Sequence, residues 1–216
     1  MYQVSELSHK GGSACYVFNR LFFSIYYRSK DNAFKNAANT WKSDVQSQQA
    51  FVSGQDYFYE KEIQSECDFT TAWDEVLTIA NNGSYRVWAG QLFTHSSKQG
   101  DGNDGLEFIS CGGNDGTFKQ NEIIALPKLP WHERGFLILA GCNSGLNRSG
   151  WSPAQVFAKS QSVTTLGQTG YAYFSTTWNK YVEKTTQTSI CLWAFRRGKN
   201  GALGSGDRMT GNVFNG

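Results

Sequence analysis

The sequence lacks a long hydrophobic run, a paired-cysteine motif and a surplus of charge, and each absence removes a class of function. No stretch approaches the roughly 18 consecutive apolar residues of a membrane-spanning helix. The first residues do not follow the basic, apolar, small-residue order of a secretory signal. The chain is therefore expected to be soluble, cytoplasmic when synthesised, and without a membrane partner. A net charge of +2 with 18% charged residues leaves no basic stripe, so nucleic acid is not an expected partner either. Histidine is scarce, with only His9, His95 and His132. The five cysteines, Cys15, Cys67, Cys111, Cys142 and Cys191, are widely spaced and contain no CxxC pair. Neither set groups into a metal site, and no metal or other cofactor is expected. An odd cysteine count cannot pair completely within one chain, so the thiols are read as reduced and a disulfide framework is not expected.

What is present suffices for one sizeable core: 216 residues, 39% hydrophobic and 15% aromatic. Strand and helix signals alternate along it. Leu21 to Tyr27 is apolar enough for a strand, and Asp31 is placed to cap a helix whose inner face is Phe34, Ala37, Ala38, Trp41 and Val45. Asp56 to Ile63 reads as a second strand. Asp68 then caps a helix carrying Phe69, Ala72, Trp73, Val76, Ile79 and Ala80, which Gly83 ends in the left-handed conformation. Tyr85 to Phe93 is a third strand. The glycine-rich stretch 100–116 reads as a loop with a small hairpin around Leu106 to Ser110, and Gln120 to Leu126 as a short helix before Pro127 and Pro130. Phe136 to Ala140 is a buried strand, followed by a helix from Ser152 and Pro153 to about Ser160. Tyr171 to Ser175 and Ile190 to Arg197 are read as the last strands. Such alternation predicts an α/β fold with a mainly parallel sheet flanked by helices. The expected organisation is an N-terminal lead over 1–20, one domain over 21–197 and a glycine-rich tail over 198–216.

Two of these strands end in chemistry. The run Gly135 to Ala140 leads into Gly141, Cys142, Asn143, Ser144 and Gly145, and the strand from Tyr85 leads into Thr94 and His95. Residues just past parallel strands sit at the sheet edge where α/β folds build their sites. A thiol with its ordinary pKa of about 8.5 is mostly protonated at neutral pH, and a neighbouring imidazole supplies the base that makes it a nucleophile. Cys111, before Gly112 and Gly113, is a lesser rival, and His132 is read as a loop residue. Gly100, Gly102 and Gly105 match a nucleotide-binding spacing, but Asp101 and Asp104 would repel phosphate and no helix signal follows. Ser144 is not at the centre of a nucleophile elbow, where Asn143 stands instead.

The order of the histidine strand, the glycine-rich loop, Phe136 to Ala140 and then Gly141-Cys142-Asn143-Ser144-Gly145 resembles the caspase-like peptidases of clan CD, including the bacterial CHAT-type proteases. The resemblance spans roughly Leu21 to Ser175 as an arrangement of elements, and its specific part is the two motifs around His95 and Cys142. It implies a caspase-like three-layer fold and a cysteine-type peptidase, a thiol protease acting as a hydrolase through an acyl-enzyme. It makes Cys142 the nucleophile and His95 the general base and acid. The backbone N–H groups of Cys142 and Ser96 become the oxyanion hole. Ser96 stands where the family usually has glycine. Ser175, Thr176 and Trp178 match the strand and loop that line the substrate groove. Aspartate-specific caspases carry a glutamine where this chain has Ala140 and an arginine where it has Trp178 and Asn179, so Arg28 is the one basic pocket residue that matches. The implied partner is a protein or peptide substrate. A bacterial effector or toxin is also implied, restrained by an inhibitor or immunity protein and delivered by a route that needs no signal peptide. Two other readings of the same residues are an inactive caspase-like scaffold that binds protein, and an amide hydrolase acting on a non-protein substrate.

Overall fold

The computed structural model describes residues 18–30, 32–97, 104–147, 150–169 and 211–216. The elements are β1 (Asn19–Tyr27), α1 (Ala33–Ser47), β2 (Tyr57–Ile63), α2 (Glu66–Asn82), β3 (Tyr85–Phe93), β4 (His95–Ser97), β5 (Gly105–Glu107), β6 (Thr117–Phe118), α3 (Gln120–Ala125), β7 (Trp131–Leu139), α4 (Pro153–Gln161), β8 (Thr164–Gln168) and β9 (Gly211–Phe214). Among the described residues, six strands form one sheet in the order β2-β1-β3-β7-β8-β9. Every neighbouring pair is parallel except β8 with β9. A second, antiparallel sheet has the order β4-β5-β6.

The near-continuous apolar sequence of β1 follows from burial on both sides, as parallel strands require. Leu21, Phe23 and Ile25 face a core shared with Phe69, Trp73 and Val76 of α2, Ile123 of α3 and Phe157 of α4. Phe22 and Tyr26 face the opposite way, into a core with Phe34, Ala38 and Trp41 of α1. The result is a three-layer α/β arrangement. Trp73 is fully buried, and its indole N–H donates to the Pro127 carbonyl at 2.9 Å, which ties α2 to the approach to β7. Among the described residues, no helix is long and apolar enough to cross a membrane.

Several local expectations are corrected. Ser65, not Asp68, is the N-cap of α2; its hydroxyl accepts from Asp68 N–H at 3.1 Å while the Asp68 carboxylate accepts from Ser65 N–H at 2.9 Å. Asp68 still serves the helix start, as the third residue of a capping box. Asn32, in the left-handed region at φ 57°, precedes α1, and Asp31 lies outside the described residues. Gly83 ends α2 with φ −92°, and the left-handed residue is Ser84. His132 belongs to β7 and lies against the Trp88 ring at 4.5 Å. β8 is short and rich in threonine, glycine and glutamine, so its apolar signal is weak. β9 lies within the stretch expected to be a tail. The strands expected over Tyr171 to Ser175 and Ile190 to Arg197 lie outside the described residues.

The expectation of reduced thiols fails for one pair, because Cys67 and Cys111 form a disulfide across Cα atoms 6.1 Å apart. Their separation of 44 positions hides a tertiary neighbourhood. The start of α2 lies beside the chain leaving β5, with Glu66 N–H donating to Ile109 O at 3.2 Å and Ile109 N–H to Gln64 O at 2.9 Å. A bond closing a loop of this length contributes about 2–4 kcal/mol. Replacing both residues, Cys67→Ser with Cys111→Ser, is expected to lower the unfolding free energy by about that amount in urea titration. An unchanged midpoint would show that the bond contributes nothing.

Glu66 lies in the same joint, only 1% exposed, with Glu122 of α3 and Asp115 facing it. Burial first, and the Glu122 carboxylate second, push its pKa up to about 7. Between the ordinary glutamate value and this one, the folded chain holds a proton that the unfolded chain has lost. Stability therefore falls as pH rises through that window. Glu66→Gln is expected to gain on the parent protein as pH rises from 5 to 8, measured as the difference in denaturation midpoints. A difference that stays constant would contradict the assignment.

Candidate active site

β3 and β7 are adjacent and parallel, with Leu92 opposite Leu139. The alignment persists one step further, since Ala140 N–H donates to Leu92 O at 2.8 Å. Past that point the segments carrying His95 and Cys142 leave neighbouring strand ends. The two strand ends touch there: a Cβ built on Gly141 would stand 2.9 Å from the Thr94 carbonyl oxygen and 2.9 Å from Ser96 Cβ. Only glycine allows this approach. His95 is exposed, and its ring stands edge-on to Phe34 at 4.9 Å and Tyr27 at 5.7 Å, which holds the imidazole on the α1 side of the sheet. Cys142 is half-buried and outside any disulfide.

The turn carrying Cys142 is tightly held. Asn143 has φ 55°, a conformation asparagine tolerates better than most residues, and it turns the chain away from β7. Ser144 is wholly buried, with its hydroxyl 2.9 Å from both the Leu139 and Gly141 carbonyls, to which it donates. The same oxygen accepts from Gln168 N–H at 3.1 Å. Gly145 N–H donates to Gln168 O at 2.7 Å, and Asn212 of β9 donates to Gly145 O at 3.0 Å. A Cβ on Gly145 would come within 2.3 Å of the Gly167 carbonyl oxygen. Ala154 N–H at the start of α4 donates to Ser144 O at 2.9 Å. Ser144 is thus a positioning residue for the turn. Sequence reading weighed it only as a nucleophile, although a hydroxyl in a turn between asparagine and glycine is a common backbone clamp.

The remaining candidates divide. Ser96 sits in β4 opposite Leu106, and no positive φ is required there, so serine in the place of glycine carries no backbone strain. Arg28 follows β1, donates from its backbone to Ile63 O at 2.8 Å and pairs with Glu62 through its exposed guanidinium. Its charge is therefore already answered. Cys111 is held in the disulfide and offers no thiolate while that bond stands. Ser175, Thr176, Trp178 and Asn179 lie outside the described residues. Among the described residues, no group of three or more histidines, cysteines and carboxylates could hold a metal ion.

The buried polar atoms without a hydrogen-bond partner include Thr94 Oγ1, Ser96 Oγ, and both Nε2 and Oε1 of Gln168 at this edge, beside others at Ser24, Glu66, Trp131 and Ser160. Such groups are few in native proteins and call for an explanation. An imidazole and a thiol at neighbouring strand ends can form a thiolate and attack a carbonyl, and the surrounding turn keeps the sulfur in place. No protein-family model matches the chain, and no curated protein matches its sequence.

The Gly141 contact is directly testable. Gly141→Ala pushes a methyl into the Thr94–Ser96 backbone, so it is expected to cost about 1–3 kcal/mol and to slow alkylation of Cys142 by iodoacetamide at pH 7. Parent-like stability and alkylation would show that the strand ends do not depend on this approach.

Proposed function

We propose that the chain is a caspase-like cysteine endopeptidase. The observation that carries this reading is the meeting of the His95 and Cys142 strand ends at Gly141. In this mechanism His95 takes the thiol proton as Cys142 attacks the peptide carbonyl. The oxyanion of the tetrahedral intermediate is stabilised by the backbone N–H groups of Cys142 and Ser96. His95 then protonates the leaving amine, giving an acyl-enzyme, and afterwards activates the water that hydrolyses it. An extended peptide would lie along the C-terminal edge of the sheet, with Ser175, Thr176 and Trp178 as its proposed groove.

The relaxed backbone at Ser96 favours an active enzyme over an inactive scaffold. The pairing of Arg28 with Glu62 argues against a pocket for an acidic side chain. The Cys67–Cys111 disulfide supports work in an oxidising compartment. That suits an effector or toxin delivered out of the cell and held in check by an inhibitor or immunity protein until then.

A fluorogenic peptide library assayed without strong reductant, which would open the disulfide, tests the reading. Cys142→Ala and His95→Ala are each expected to lose cleavage by about a thousandfold or more while unfolding within about 1 kcal/mol of the parent. Retained cleavage in Cys142→Ala would overturn the proposal. Hydrolysis of small amides without peptide cleavage would favour a non-protein substrate.

A further inference from the structure

Gln168 ends β8 against the nucleophile turn and is 0% exposed. Its backbone is fixed on both sides, by Ser144 Oγ at 3.1 Å and Gly145 N–H at 2.7 Å. Neither Nε2 nor Oε1 of its side chain has a hydrogen-bond partner. Leaving a buried polar group unmatched is costly, so a residue with two such atoms beside a nucleophile needs a reason.

Its place in the sheet supplies one. Leu139 lies opposite Gly167 in the parallel pair β7 and β8, and a Cβ on Gly167 would meet Ala154 of α4, so the next residue, Gln168, faces the α1 side as Ala140 does. Ala140 and Phe93 share that face with Phe34 of α1, against which the His95 ring also rests. From Phe93 the row continues through Tyr26 to Glu62 at the far side of the sheet, so the Gln168 amide is the hydrogen-bonding side chain at the cysteine-turn end. Ala140, two positions before the nucleophile, adds only a methyl group. The Glu62 carboxylate at the other end of the row is engaged by Arg28.

We propose that Gln168 is a specificity-determining residue, whose amide pairs with the side-chain amide of asparagine or glutamine at the substrate position before the scissile bond. The inference rests on the peptidase reading above. Both a donor and an acceptor are unmatched: a carboxylate would satisfy only Nε2 and an ammonium only Oε1, whereas another amide satisfies both. The enclosed resting state carries the cost of the unmatched amide, which lowers the work of opening it to a side chain that restores both bonds.

The test uses the full chain and a set of fluorogenic peptides that differ only at that position. The parent protein is expected to show kcat/KM for asparagine or glutamine at least about tenfold above aspartate, lysine or methionine. Gln168→Met, nearly the same in shape, is expected to lose that preference over methionine and to melt at a higher temperature than the parent. Gln168→Leu provides a second variant with the same expectation. A parent preference for acidic or basic side chains, or an unchanged ranking in both variants, would overturn the inference and leave the peptidase reading intact. Failure of the parent to cleave any peptide, with Cys142 still open to alkylation, would overturn both.

Discussion

The site depends on one close backbone approach, that of Gly141 to Thr94 and Ser96. Two parallel strands ending in register bring the histidine and cysteine segments to the same edge, but strand spacing alone does not make their outgoing chains touch. That requires a residue without Cβ at the point of contact, since a methyl there would stand 2.9 Å from a carbonyl oxygen. The glycine thus couples two segments that leave the sheet toward different structures, one into the small antiparallel sheet and the other into the turn before α4.

Each segment is anchored to a different part of the molecule. On the cysteine side, Ser144 gathers the end of β7, the turn and β8 through a single hydroxyl. The facing glycines 145 and 167 let β8 approach the turn closely. On the histidine side, His95 pairs with Glu107 in the β4-β5-β6 sheet. That sheet is fastened to the start of α2 by the Ile109 backbone bonds and the Cys67–Cys111 disulfide. The disulfide and Glu66 thus both lie at the joint that carries the histidine's small sheet. Apart from the Gly141 contact, the histidine and cysteine segments are held by separate interactions.

Unmatched polar atoms occur on the same edge, at Thr94, Ser96 and Gln168, and also within β1 and α4, at Ser24 and Ser160. Gln161 of α4, by contrast, is engaged, accepting from Leu129 N–H at 3.0 Å.

Much of this was legible in the residues themselves. The apolar runs of β1, β3 and β7, the spacing of Phe34, Ala38 and Trp41 in α1, and Ser152-Pro153 at the start of α4 are local signals, because burial and capping act on near neighbours in the chain. The placing of His95 and Cys142 at strand ends follows from the same runs. Tertiary structure alone decided the rest. β8 has too little apolar character to announce a strand and is held by its neighbours on either side. The disulfide joins positions whose proximity arises only when the small sheet docks on α2. Ser144 becomes a clamp and Gln168 an unmatched amide only once β7 and β8 lie side by side, since a hydrogen bond between distant residues depends on where the chain brings them together.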